Sequence, residues 1–193
     1  SGTSYRRLDV PGGTLQGVSY CATCDGAFYK DKTVAVIGGG DTALGDAMYL
    51  SRMAKKVYLV HRRQEFRANQ ALQTAVQQNA AIELVLDAVP TAVLGEKRVD
   101  HLELLQNGAS KTLPVDGVFV AIGSIPNTDF LGNLCKLDES GYILADETGV
   151  TTTPGVFAAG DVRTTPLRQV VTAVADGANC VQSIEQYFRK GNG

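Results

Sequence analysis

Thr33-Val-Ala-Val-Ile-Gly-Gly-Gly-Asp-Thr-Ala43 is the stretch on which the fold turns. Its opening run, Thr33 to Ile37, is small or β-branched and bounded by Lys32 and Gly38, which predicts a short buried parallel strand. Gly38-Gly39-Gly40-Asp41-Thr42-Ala43 then fits the pattern G-x-G-x-x-A, directly after a strand and directly opening a helix. A tight turn calls for Gly38, close approach of a pyrophosphate calls for Gly40, and the small Ala43 lets helix pack on strand. Apolar residues at Ala43, Leu44, Ala47, Met48 and Leu50 form a helical stripe, predicting a helix over 41–53. Glycine-rich strand-to-helix turns also occur without ligands, so the flanks matter; here both are right for a phosphate held on free helix N–H groups.

Outward from that loop, 57–60 reads as a second strand, 68–78 as a second helix and 82–86 as a third strand. This β-α-β-α-β order predicts an α/β, doubly wound, Rossmann-like domain. Segments 90–95, 98–106 and 111–113 predict a small antiparallel meander, and 115–122 closes the sheet with another apolar strand. Beyond Gly123 the texture changes. Short strands are expected at 143–145 and 156–159, with turns around Gly149 and Pro154, followed by one long helix over 168–189. These late elements are too few to enclose a core of their own. The expected division is a complete domain over 17–123, with 1–16 and 124–193 as pieces of a second domain.

The end of the second strand selects the nucleotide. An NAD site would place Asp or Glu there for the ribose 2′-hydroxyl. This chain has His61-Arg62-Arg63, with Arg67 a helical turn further. Guanidinium groups grip a 2′-phosphate bidentately, whereas a carboxylate would repel it. A solvated basic loop is the plain alternative. Its position at this strand tip favours NADPH.

The chain has four cysteines, and only Cys21 and Cys24 are close, in Cys21-Ala-Thr-Cys24-Asp25-Gly26. A secreted disulfide scaffold would be denser in cysteine, so a cytoplasmic setting is expected. A zinc site needs a second pair, whereas Cys135 and Cys180 are isolated and the two histidines badly placed, so no metal is expected. Two unreactive cysteines remain possible. A redox dithiol is the leading reading, because the two-residue spacing permits a disulfide that exchanges readily. Asp25 beside it serves either as proton donor and acceptor or simply as the start of an Asp-Gly turn. A dithiol and a hydride donor in one chain need an adapter, and flavin is the usual one. The net charge of −2 argues against nucleic-acid or membrane partners, and no run of about 18 apolar residues predicts a membrane helix. The polar stretch 1–10 is not expected to be a signal peptide.

Taken together, G-V-S-Y-C-A-T-C-D-G-A-F-Y, V-A-V-I-G-G-G-D-T-A, H-R-R-x-x-F-R-A, G-V-F-V-A-I-G-x-x-P-N, P-G-V-F-A-A-G-D-V and R-Q-V-V-T-A resemble bacterial low-molecular-weight thioredoxin reductases along essentially the whole chain. The resemblance implies a homodimeric enzyme passing electrons from NADPH through FAD and a dithiol to thioredoxin. It implies that Cys24 lies nearer the flavin, that Cys21 attacks thioredoxin, and that Asp25 donates a proton. It places Asp41, Thr42, Arg62, Arg63 and Arg67 around NADPH, beside the Gly38, Gly39, Gly40 and His61 of the motifs above, and Ile122 is expected among the cofactor-binding residues. Gly160 and Asp161 would meet the ribitol side of FAD, with Arg168, Gln169 and Val170 beside its ring. It makes 1–16 the end of a first FAD-domain segment with its crossover, and 124–193 the C-terminal part of that domain, with connecting segments within 1–8 and 123–127.

The chain departs from this family in two places. Gly45-Asp46 stands where the family has an acidic pair. No FAD-binding glycine motif precedes the dithiol, so the flanking FAD-binding domain is expected to be incomplete, and the chain alone to hold FAD weakly and turn over little. Two other readings stand beside this one. A peroxiredoxin-reductase-type flavoprotein shares the dithiol and glycine loop, although such relatives favour NADH. A nucleotide-binding or redox-sensing module would lack turnover altogether.

Overall fold

The computed structural model describes residues 2–191, which fall into two compact units. One is Arg6–Gly123; the other joins 2–5 to 124–191. In chain order the early elements are β1 (Thr3–Tyr5), β2 (Val18–Ser19), α1 (Ala22–Asp25), β3 (Thr33–Ile37), α2 (Asp41–Leu50), β4 (Lys56–Val60), α3 (Gln70–Gln78) and β5 (Ile82–Val85). There follow β6 (Ala88–Leu94), β7 (His101–Gln106), β8 (Ala109–Pro114), β9 (Gly117–Val120), β10 (Ser124–Pro126) and α4 (Val170–Arg189).

The Arg6–Gly123 unit is built on a parallel sheet in the order β2-β9-β3-β4-β5. Its strands are buried on both faces, so their apolar runs are continuous and still alternate by destination. Val34, Val36, Val57, Leu59 and Phe119 join Ala43, Leu44, Ala47 and Leu50 of α2 and Val76 of α3 in one cluster. Ala35, Ile37, Tyr58, Val60, Val118 and Val120 join Val93, Leu102, Leu104 and Leu113 of the antiparallel β6-β7-β8 sheet in a second. Helices thus cover one face and the meander covers the other. Leu8, Val10 and Leu15 pack against the meander-side cluster, so the segment from Arg6 belongs to this compact unit.

Several boundaries differ from the sequence expectation for local reasons. The first long helix stops at Leu50, because Arg52 and Met53 bond three residues back, to Tyr49 and Leu50, and tighten the last turn. The second starts at Gln70, because the Asn69 side chain accepts the Leu72 N–H and ends the non-helical approach. The meander's first strand begins at Ala88, with its register shifting between Pro90 and Ala92, where proline has no N–H for the ladder.

In the other unit β1 pairs antiparallel with β10. Cys135, Ile143, Ala145, Ala158 and Val162 form a small buried cluster. The strands expected at 143–145 and 156–159 are not formed; Ile143 and Phe157 make single bridges to Leu137, Arg163 and Val150. Tight turns around Gly149 and Gly160, both at positive φ, leave no length for a ladder. In α4, Gln169 and Thr172 form a capping box, and the buried carboxylate of Asp176 pairs with Arg163 at 2.5 Å.

Candidate functional site

The end of β3 feeds the glycine loop. Gly38 has φ of 152°, and a Cβ there would lie 2.3 Å from the Ala121 carbonyl oxygen, so neither backbone nor space admits a side chain. Gly40 is the N-cap of α2 and has no capping side chain, leaving the first turn's N–H groups open. A Cβ on Gly40 would meet nothing within 4 Å. That open cradle beside free N–H groups fits a pyrophosphate, the close approach for which the motif was read. Asp41 and Thr42 open α2, and Ile122 lies exposed two residues past the end of β9, after Ala121, whose N–H donates to the Ile37 carbonyl.

The basic loop after β4 is tied to this glycine loop. The Arg67 N–H donates to the Gly39 carbonyl at 2.8 Å. Asn69 donates twice to Asp41 Oδ1, from its backbone N at 2.9 Å and from Nδ2 at 2.7 Å. His61 is buried beneath the loop, stacked on Phe66 with ring centroids 5.3 Å apart. Its ring occupies the space a Cβ on Gly39 would need, at 2.2 Å. Burial first, then the charges of Arg62, Arg63 and Arg67, hold the imidazole below its usual pKa. His61 therefore supports the loop from below as a neutral ring. Arg62, Arg63 and Arg67 are exposed, and their guanidinium groups have no ion-pair partner among the described residues. Three unpaired cations beside an open pyrophosphate cradle fit a nucleotide with an added phosphate.

The dithiol sits in the same unit. Cys21 and Cys24 are joined as a disulfide across α1, with Cα atoms 5.3 Å apart. Cys21 caps the short helix, its sulfur accepting the Cys24 N–H at 3.2 Å. Cys24 is exposed and Cys21 partly buried. Ala22 is buried in the cluster that also holds Ala43, Ala47 and Leu50, and α1 packs against α2, the helix that begins at the glycine loop. Beneath the pair lies Ser19, only 5% exposed, which accepts the Cys21 N–H at 3.1 Å. Its hydroxyl has one proton, and the 2.7 Å distance to Asp25 Oδ2 against 3.3 Å to the Cys21 carbonyl assigns it to Asp25. Asp25 is thereby held against the dithiol turn. On α2, burial pushes the Asp46 carboxyl up to about 6.

The remaining predicted residues lie together in the other unit. Gly160 donates its N–H to Asp176 Oδ2 at 2.9 Å, which holds the turn carrying Asp161. Arg168 Nε reaches the Asp161 carbonyl at 3.4 Å and its guanidinium lies 4.0 Å over the Tyr142 ring. Gln169 caps α4, and Val170 is 82% exposed. Among the described residues, no His, Cys, Asp and Glu side chains converge into a metal-binding group, and no helix is long and apolar enough to cross a membrane.

Three residues of these networks escaped sequence reading. Asn69 carried a signal, since a capping residue before a helical run is visible. Ser19 and Asp176 carried none, because their partners are set by folding.

The glycine cradle, the loop of arginines without ion-pair partners and the Cys21–Cys24 disulfide all lie in the Arg6–Gly123 unit. A family model described as pyridine nucleotide-disulphide oxidoreductase matches residues 1–177, and the chain belongs to that family. It is 41% identical to a thioredoxin reductase of Listeria monocytogenes, over 98% of this chain and 61% of the relative. It is 42% identical to one of Chlamydia pneumoniae, over 96% and 62%. Among solved structures, thioredoxin reductases from Streptococcus pyogenes and Giardia duodenalis superpose with TM-scores of 0.89 and 0.91, at 39% and 37% identity, each over 98% of this chain and 64% of theirs. The chain thus spans just over three fifths of the length of these relatives.

Proposed function

We propose that the chain serves thioredoxin-disulfide reduction, with NADPH as donor, FAD as adapter and Cys21/Cys24 as the dithiol that meets thioredoxin. The observation that carries this reading is the disulfide across α1, which packs against the helix that opens at the nucleotide cradle. Gly38, Gly39 and Gly40 admit the pyrophosphate, Asp41 and Thr42 open the helix beneath it, and Ile122 borders it. Arg62, Arg63 and Arg67 bind the 2′-phosphate, and His61 supports them. The chemistry that flavin supplies when bound is conversion of a hydride into the two electrons that open a disulfide. Gly160, Asp161, Arg168, Gln169 and Val170 form the part of its site that this chain contributes.

Once reduced, the Cys21 thiolate attacks the thioredoxin disulfide, forming a mixed disulfide and releasing one thiolate. Cys24 then attacks the Cys21 sulfur, restoring the internal bond and releasing the second. Asp25, oriented by Ser19, holds or passes the proton at the thiolate that leaves or forms. Val170, Val171, Val174 and Val181 of α4 are exposed, which supports cover by further polypeptide and, in this reading, a homodimer. A cytoplasmic setting belongs to the same reading, since Cys135 and Cys180 remain unpaired thiols.

The test is trapping. Chemically reduced chain carrying Cys24→Ser is expected to form a stable mixed disulfide with oxidised thioredoxin through Cys21, and Cys21→Ser to trap at least about tenfold less. Equal trapping by both variants, or none by either, would overturn the assignment.

A further inference from the structure

Asn69 belongs to no motif of the nucleotide site, yet it makes the link between the site's two halves. Its Nδ2 donates to Asp41 Oδ1 at 2.7 Å while its Oδ1 accepts the Leu72 N–H at 3.0 Å. These two partners fix which end of the amide is which, because the carboxylate can only accept and the N–H can only donate. One side chain thus caps α3 and also grips the first residue of α2. The second link is the Arg67 N–H on the Gly39 carbonyl. The loop carrying Arg62, Arg63 and Arg67 is pinned to the glycine loop near its far end by both bonds.

We infer that Asn69, acting through Asp41, is a positioning residue that sets selectivity for the 2′-phosphorylated nucleotide. The inference rests on the nucleotide reading above. A dinucleotide with a 2′-phosphate must meet the glycine loop and the arginine loop at once, so affinity depends on the separation of the two loops being fixed beforehand. NADH lacks the 2′-phosphate and has little to gain from that fixed separation. The Asn69 donors also occupy the Asp41 carboxylate, which would otherwise stand free at the mouth of a site for phosphates.

The variants follow from the geometry. Asn69→Asp keeps a capping oxygen for Leu72 and nearly the same shape, but sets carboxylate against carboxylate. Asp41→Asn combined with Asn69→Asp restores an amide-carboxylate pair in the reverse sense. NADPH and NADH are titrated calorimetrically into the parent chain and both variants. Asn69→Asp is expected to weaken NADPH binding about tenfold and NADH binding no more than about twofold, with recovery of most of the loss in the double variant. Unchanged NADPH binding in Asn69→Asp would overturn the inference while leaving the site. Loss without recovery would also overturn it, because the double variant restores the amide–carboxylate pair and the parent's net charge together. A parent chain that binds neither nucleotide would overturn the site reading and this inference with it.

Discussion

Adjacent glycines in one loop do different things, and substitution separates them. Gly39 is small because the His61 ring fills its side-chain space, whereas Gly40 is small with nothing beside it. Gly39→Ala is expected to destabilise the unit by about 1–3 kcal/mol, because a Cβ must displace a buried ring. Gly40→Ala is expected to leave thermal stability within about 0.5 kcal/mol and yet weaken both nucleotides, since it obstructs only a ligand. Thermal unfolding beside calorimetric titration reads both outcomes. Loss of stability in Gly40→Ala with binding retained would reverse the assignment. The sequence placed His61 with its arginine neighbours and could not tell that it lies under them, because a strand-tip residue's depth is decided by what packs on it. The cysteine pair, by contrast, was legible because its spacing alone limits its chemistry.

At the scale of an element, α2 carries both the glycine-loop N-terminus and the half-buried Asp46. Its carboxyl rises to about 6 from an ordinary value of 3.8 because burial disfavours the charge. Between those values the native chain holds a proton that the unfolded chain has released, so this group makes stability fall as pH rises through that window. Above it, ionised Asp46 costs up to about 3 kcal/mol. Asp46→Asn is therefore expected to stabilise the chain at pH 8 and to change little at pH 3.5. His61 contributes the opposite slope: with its pKa lowered, its stabilising share is lost as pH falls below the unfolded value. Comparing denaturant unfolding of parent and variant across pH isolates Asp46, and an equal effect at both pH values would contradict its burial cost. The helix itself was readable from Ala43, Leu44, Ala47 and Leu50, whereas its end was not, because bonds to Tyr49 and Leu50 rather than a glycine or proline close it.

For the whole molecule, what could be read followed contact range. The parallel sheet was legible because Val34, Val36, Val57, Leu59 and Phe119 are apolar runs at short spacing. The 143–145 and 156–159 segments are just as apolar, but a ladder needs partners with enough length, and turns at Gly149 and Gly160 interrupt them. The buried Arg163–Asp176 pair, which holds the Gly160 turn, joins residues far apart in sequence and has no local signature. Removing one member of such a pair leaves an unpaired charge, at a cost of about 3–5 kcal/mol. In the proposed function, the cradle at Gly40 and the arginines at 62, 63 and 67 together form one NADPH site. Calorimetric titration of the chain with NADPH and NADH, alongside Arg62→Ala and Arg67→Ala, tests it most directly. The predicted result is NADPH-selective binding, with each arginine variant losing about tenfold for NADPH and almost nothing for NADH. Equal affinity for the two nucleotides, or selectivity unmoved by either substitution, would contradict it.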